Sequence, residues 1–557
     1  MKRIFRNLAP ALAAVAAVAA SAPALACTNF IITRGASSDG SVMVTYAADS
    51  HQLYGCLYKH DPAKRAAAMM PVYEWDTGKY LGDIAQAPTT YSTVGNMNEH
   101  SLIITETTYG GRHELTDPEG KIDYGSLIYI TLQRARTARE AIDTIVELAN
   151  ANGYASSGES FSIADADEAW IMELIGKGPD NKGIVWVARR IPDGYICAHA
   201  NQARITTFPK DDPENCLYAH DVISFAREKG YYTGSDDDFS FCDAYAPLDF
   251  GAMRGCEARV WSFFRTFADD MDRYVDYAMG RNVANRMPLW VKPSRKITPK
   301  EVFDAMRDHY EGTPMDMTTD LGAGGHGLPY RWRPMSFEVD GKEYVNERAT
   351  ATQQTGFWLV GQARKGKTGI LWFGVDDAAT SCLTPVYCNT AEVPECMAEG
   401  NGSMLEYSPT SAFWLFNRVT NFAYMRYDMM AADIRRVTDF WENSMLKAVA
   451  GVDADVAAMS DKARRKHLTR FTTRTAQTMF DNWTRLDKYL LLKYMDGNVK
   501  SEHADVISYV IGRNSGNSHF VDNGNGRDIP DKIQFPGYNE KWKRAVAADN
   551  GEILRAE

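Results

Sequence analysis

Ala24-Leu25-Ala26-Cys27-Thr28-Asn29-Phe30-Ile31-Ile32 joins an export-type leader to a β-branched strand. Upstream of it, Lys2, Arg3 and Arg6 form a positive head, Leu8 to Ala20 an Ala-dominated apolar run, and Ala24-x-Ala26 a small-residue cleavage site. The run is short for a membrane span and no stop-transfer pattern follows, so cleavage after Ala26 is expected, with no integral membrane segment remaining. Cys27 would then lead the mature chain, carrying a free α-amine beside its thiol, a nucleophile with its own base. Two rival readings are a structural or disulfide cysteine and the lipid-bearing cysteine of a surface-anchored binding protein. Against lipidation, residue 24 is Ala where a lipoprotein signal usually has Leu, and Phe30-Ile31-Ile32 follows where a flexible tether belongs.

Thr28 to Ile32 and Ser41 to Tyr46 alternate as strands around Arg34-Gly-Ala-Ser-Ser-Asp-Gly40, which predicts a hairpin with an Asp-Gly turn. A turn centred near Ser38 puts residue 48 or 49 opposite Cys27, so Asp49 is expected beside the new terminus. Further strands are expected at 91–94, 102–105, 160–164, 169–174, 184–188, 195–198, 355–360 and 369–375. Helical patterning covers 126–134, 138–149 behind a Thr137 cap, 258–267 and 299–310. Strands, two helices and strands again predict a layered α/β arrangement with largely antiparallel sheets. Two long segments, 411–446 and 460–494, lack Gly and Pro at helix-breaking density and predict a helical hairpin, and an irregular surface tail follows. The division is then a leader over 1–26, a catalytic unit over 27–400 and a helical extension with its tail over 401–557. The glycine-rich stretch Leu321 to Pro329 lacks the Gly-Lys-Ser/Thr ending of a phosphate loop and reads as a close-packed loop.

A net charge of -11 and a pI near 5.6 argue against nucleic acid as a partner. Nine cysteines fit an oxidising compartment, so periplasmic or extracellular placement is expected. Setting Cys27 aside leaves eight that could pair, with Cys242–Cys256 and Cys388–Cys396 as candidates by proximity. The eleven histidines show no ligand spacing, so neither a metal nor another cofactor is expected. Asn201 follows a strand, where a side-chain amide can donate to an oxyanion, and Arg254 or Arg259 offers a planar cation to the nucleophile's surroundings.

These residues carry a resemblance. Cys27-Thr-Asn-Phe30, Ser37-Ser-Asp-Gly-Ser41, Asn98-Glu-His100, Glu106-Thr-Thr-Tyr-Gly-Gly-Arg112, Ser160-Phe-Ser-Ile-Ala-Asp165, Ala169-Trp-Ile-Met-Glu173, Ala200-Asn-Gln-Ala-Arg-Ile205 and Tyr330-Arg-Trp-Arg-Pro334 occur in that order along the chain. The sequence resembles the dipeptidase family of cysteine-type N-terminal nucleophile (Ntn) hydrolases, the relatives of dipeptidase A and secernin. The resemblance implies an αββα sandwich that hydrolyses dipeptides or short peptides. In it Cys27 is the nucleophile, Asp49 the aspartate after the second strand, Asn201 the oxyanion amide and Arg259, with Arg254 in reserve, the accompanying arginine. Glu106 is the expected partner for a substrate ammonium, and Arg204 or Arg112 for its carboxylate. Bile-salt hydrolases and penicillin V acylases share that nucleophile, which leaves N-acyl amides as the alternative substrate class. The chain departs from the family at Tyr46, where an Arg commonly stands near the nucleophile. Neither the preferred dipeptide nor an oligomeric state is legible.

Overall fold

A computed structural model describes residues 27–512 and 519–549; the leader expected over 1–26 lies outside them. Its principal elements are β1 (Asn29–Ile32), β2 (Val42–Asp49), β3 (Ile103–Gly110), α1 (Tyr124–Leu132), α2 (Ala138–Asn152), β4 (Gly158–Ala164), β5 (Ala169–Gly176), β6 (Ile184–Arg190), β7 (Ile196–His199), α3 (Ala258–Phe267), α4 (Pro299–Ala305), β8 (Thr355–Ala363), β9 (Ile370–Val375), β10 (Thr384–Tyr387), α5 (Ala412–Ala423), α6 (Tyr427–Val456) and α7 (Asp461–Tyr494).

Two antiparallel sheets stack face to face. One runs Trp290–Val291, β7, β1, β2, β8, β9, β10, and the other Cys216–Tyr218, β6, β5, β4, β3, Met97–Asn98, Thr93–Val94, Lys59–His60. Period-2 alternation explains why both faces of the first sheet are apolar. Ile31 and Val44 point toward the second sheet, while Phe30, Ile32 and Met43 pack against α3 and α4 through Phe263, Phe264 and Phe303. On the far side of the second sheet, α1 and α2 contribute Leu127, Ile128, Ala141, Ile142 and Ile145. The four layers are therefore helix, sheet, sheet, helix, and the class is α+β.

Thr137 caps α2 by accepting from the Glu140 N–H, and α3 spans the expected 258–267. The helix expected over 299–310 stops at Ala305, although Thr298 and Glu301 give it a full capping box. The expected two-helix hairpin is three helices, because the chain breaks at Arg426, whose φ and ψ of -151° and 57° are not helical. These helices pack against β9 and β10 and share one apolar cluster with the sheets. The tail is less irregular than expected and includes short helices Val506–Val510 and Glu540–Ala548. Gly325 of the glycine-rich loop lies so close to Tyr538 that a Cβ there would clash at 2.4 Å, which accounts for the glycine. All nine cysteines are free thiols, so the proposed Cys242–Cys256 and Cys388–Cys396 pairs are not formed. Cys242 instead points at Ala246 O and Cys388 at the Ser101 hydroxyl, because both are taken up in apolar packing between elements. Among the described residues no helix is long and apolar enough to cross a membrane.

Candidate active site

Cys27 precedes β1 and is only 4% exposed. The register Ile31 to Val44 and the bridge Thr28 to Ala47 continue to Cys27 opposite Ala48, so Asp49 at the end of β2 comes beside it. The Asp49 backbone N–H hydrogen-bonds the sulfur. Its carboxylate accepts from Thr355 Oγ1 at 2.7 Å and from Arg348 Nη2 at 2.9 Å. Burial outweighs the pull of Arg348 and pushes the Asp49 carboxyl up to about 7.

On its other side the Cys27 sulfur lies 3.3 Å from Glu106 Oε1 and 3.8 Å from the Tyr46 hydroxyl, which itself donates to Glu106. Burial first, then the negative charges of Glu106 and Asp49, hold the thiol well above its ordinary range. Tyr46 thus bonds the same Glu106 oxygen that the sulfur faces, at the position where the resembled family commonly carries Arg.

Asn201 follows β7 at φ 60°, a left-handed conformation that Asn tolerates better than most residues. Its Nδ2 donates to Thr108 O at 2.7 Å, while Oδ1 accepts from Arg259 Nη2 at 2.9 Å and Arg348 Nη1 at 3.3 Å. Arg259 is fixed by α3, whose Phe263 stacks on Phe30 with ring centroids 3.9 Å apart. Its Nη1 donates to Cys27 O and Thr28 Oγ1, both at 2.8 Å, its Nη2 also reaches Ala200 O at 3.2 Å, and its Nε donates to Gly255 O at 2.9 Å. Cys27, Asp49, Asn201, Arg259 and Glu106 therefore gather in one place.

Arg204 and Arg112 do not join them. Arg204 is buried in an ion pair with Glu257 at 2.8 Å and donates to Ala198 O, Leu289 O and Pro288 O, so its charge and donors hold the fold. Arg112 donates to Ala244 O at 2.7 Å and lies 3.9 Å over the Tyr231 ring. Arg254 is paired with Glu347. Sequence reasoning missed Arg348 and Thr355, which arrive from a distant loop and strand with no local motif. It also missed Glu159, although an ionisable residue inside the fully buried β4 was a readable signal.

The one group of carboxylates at metal-ligand spacing among the described residues is Asp304, Asp439 and Glu442. Lys300, Arg307 and Arg435 are ion-paired to those same carboxylates, so side-chain cations already occupy the spot.

A buried thiol flanked by a carboxylate, an amide and a guanidinium supplies the groups of a nucleophilic hydrolase. The family model "Peptidase family C69" matches residues 58–440, more than half the sequence, and the chain belongs to that family. Glu106, Asn201 and Arg259 fall inside the matched span; Cys27 and Asp49 precede it. A probable dipeptidase of Salmonella dublin is 25% identical over 352 residues, covering 60% of this chain and 76% of that protein. Dipeptidase A of Lactobacillus helveticus is 21% identical over 491 residues, 83% of this chain and 95% of its own length. A probable dipeptidase A of Streptococcus pyogenes serotype M3 (strain SSI-1) is 23% identical over 463 residues, 77% and 89% of the two chains.

Proposed function

We propose that the mature chain begins at Cys27, is exported, and hydrolyses dipeptides or short peptides as a cysteine-type Ntn enzyme through a thioester. The observation that carries this reading is the Cys27 thiol placed against Glu106 while Arg259 holds both the Cys27 carbonyl and Asn201. A free α-amine titrates near 7.7 to 8.0, so the neutral amine of Cys27 can take the thiol proton that burial keeps in place. Sulfur then adds to the scissile carbonyl. Arg259 pins Asn201 Oδ1, which turns the amide nitrogen away from the guanidinium toward the Thr108 side, where it serves the oxyanion. The tetrahedral intermediate collapses as the C–N bond breaks and the α-ammonium protonates the departing amine. Water, deprotonated by the same amine, releases the acyl group and restores the thiol.

Mass spectrometry of the purified protein's N-terminus, with turnover of unmodified dipeptides against N-acyl amides, tests the reading. A free Cys27 terminus and hydrolysis of dipeptides support it; a diacylglyceryl-modified Cys27, or turnover of N-acyl amides alone, sinks it. Cys27→Ser should fold normally and lose activity by roughly a thousandfold or more.

A further inference from the structure

β3 and β4 pair with Thr108 opposite Glu159 and Glu106 opposite Phe161, so the two glutamates sit diagonally on one face of the sheet. Both are fully buried and close enough that each carboxyl acts on the other's ionisation. Glu106 Oε1 takes the Tyr46 hydroxyl and the Cys27 thiol, and Glu159 Oε1 takes Thr108 Oγ1 at 2.6 Å. The two remaining oxygens, Oε2 of each, are buried without a donor. The titratable groups that act on them are themselves acids and phenols, Cys27, Tyr46, Asp76, Tyr109, Tyr124 and Tyr154, with Tyr124 donating to Asp76 at 2.9 Å. No cation pairs with either glutamate among the described residues, and the pair is not part of a metal-spaced cluster.

Two buried carboxyls in contact cannot both ionise without a counter-ion, so at rest they share one proton. An ammonium carries three donors and a full charge, so it can take the shared proton's place between the two carboxylates, donating to both orphan acceptors with the net charge of the pair unchanged. Position also selects it. The α-nitrogen of a peptide is two bonds from its own carbonyl carbon, so a carboxylate 3.3 Å from the attacking sulfur is in reach of the ammonium belonging to the residue being cleaved. We propose that Glu106 and Glu159 together form the subsite for the α-ammonium of the substrate's first residue, which displaces their shared proton, so that cleavage requires a free amine next to the scissile bond. The proposal rests on the dipeptidase reading above and adds Glu159 as a specificity-determining residue.

The test compares an unmodified dipeptide with its N-acetyl form on wild type and Glu159→Gln, a variant that leaves the groups bonded to Cys27 in place. Wild type should favour the free amine by about a hundredfold or more in kcat/KM, and Glu159→Gln should raise KM for it by about tenfold with kcat within about threefold, shrinking the preference accordingly. An undiminished preference in Glu159→Gln, or a kcat loss at constant KM, overturns the subsite. Equal turnover of both substrates by wild type overturns the subsite and leaves the dipeptidase reading intact; no turnover of unmodified dipeptides removes both. Should the variant fold poorly, titration calorimetry of Cys27→Ala with the dipeptide in two buffers of different ionisation enthalpy replaces it. Binding near pH 6.5, where the ligand amine is already protonated, should release close to one proton. Binding without proton release overturns the exchange.

Discussion

Arg259 is fully buried, yet no carboxylate pairs with it among the described residues; four carbonyl or amide oxygens and one hydroxyl take its N–H groups. Such a cation is held by geometry, and a lysine, with a point charge and no planar fork, cannot reach the Cys27 carbonyl and Asn201 at once. Arg259→Lys should therefore lower kcat by about a hundredfold with KM moved by less than about threefold, measured by steady-state kinetics. Asp49 makes a prediction in pH. Ionised, it accepts from Arg348 and Thr355 at both oxygens, and its carboxyl is pushed up to about 7, so below about pH 7 kcat/KM should show a second, steeper fall beyond the one that protonation of the Cys27 α-amine sets near 7.7 to 8.0. In Asp49→Asn that second fall should vanish and leave the amine's alone, and an unchanged profile would assign the second fall to another group. Cys27, Asp49 and Asn201 were legible because each is tied to a local feature: a processing junction, a hairpin register, a loop after a strand. Arg204 and Arg112 were misplaced as substrate partners because nothing local distinguishes a guanidinium that will be consumed by Glu257 or by the Ala244 carbonyl.

At the scale of elements, the strands read well because a sheet covered on both faces needs buried, β-branched-rich runs, which β1, β5, β6 and β9 supply most plainly. The helix break at Tyr424 to Arg426 was illegible, since no Gly or Pro marks it. Beside the shared apolar cluster, a polar contact that patterning does not show also joins the helical layer to the sandwich. Glu442, on α6 and fully buried, accepts from Arg307 just beyond α4 and from the Leu383 N–H at 3.1 Å, and lies 3.4 Å from Lys300. Removing one partner of a buried pair strands the other charge, so Arg307→Met should cost about 3–5 kcal/mol in denaturant unfolding. The double variant Arg307→Met with Glu442→Gln should recover a large part of that loss. A single variant as stable as wild type would mean that Lys300 and the Leu383 amide suffice.

Taken whole, the molecule carries several carboxyls whose burial is not matched by cations. Glu173, Asp76 and Asp376 are each pushed up to about 7, burial being the largest cause in every case. In the unfolded chain the same groups titrate near 4, so between about pH 6.5 and 8 the folded state binds more protons than the unfolded state and stability falls as pH rises. Their favourable contribution is complete below the unfolded value and is lost through about 7. His199 works the other way: burial, then Arg204, lowers it to about 3, so it favours folding above about pH 6.5 and is lost only on acidification. By about pH 7.5 His199 is neutral in both states, while nearer 6.5 its partial protonation in the unfolded chain, like that of His51, His60 and His100, which burial also holds low, offsets part of the carboxyl slope. The thermal midpoint should thus decline across that interval, and Asp376→Asn, whose amide oxygen can keep the bond from Asn417 while its Nδ2 donates to a Thr420 hydroxyl turned to accept, should flatten the decline by less than about one proton's worth. Scanning calorimetry at fixed ionic strength measures both slopes, and a midpoint that rises from about pH 6.5 to 8 would show these carboxyls ionised in the native state, with counter-ions that the described residues do not supply.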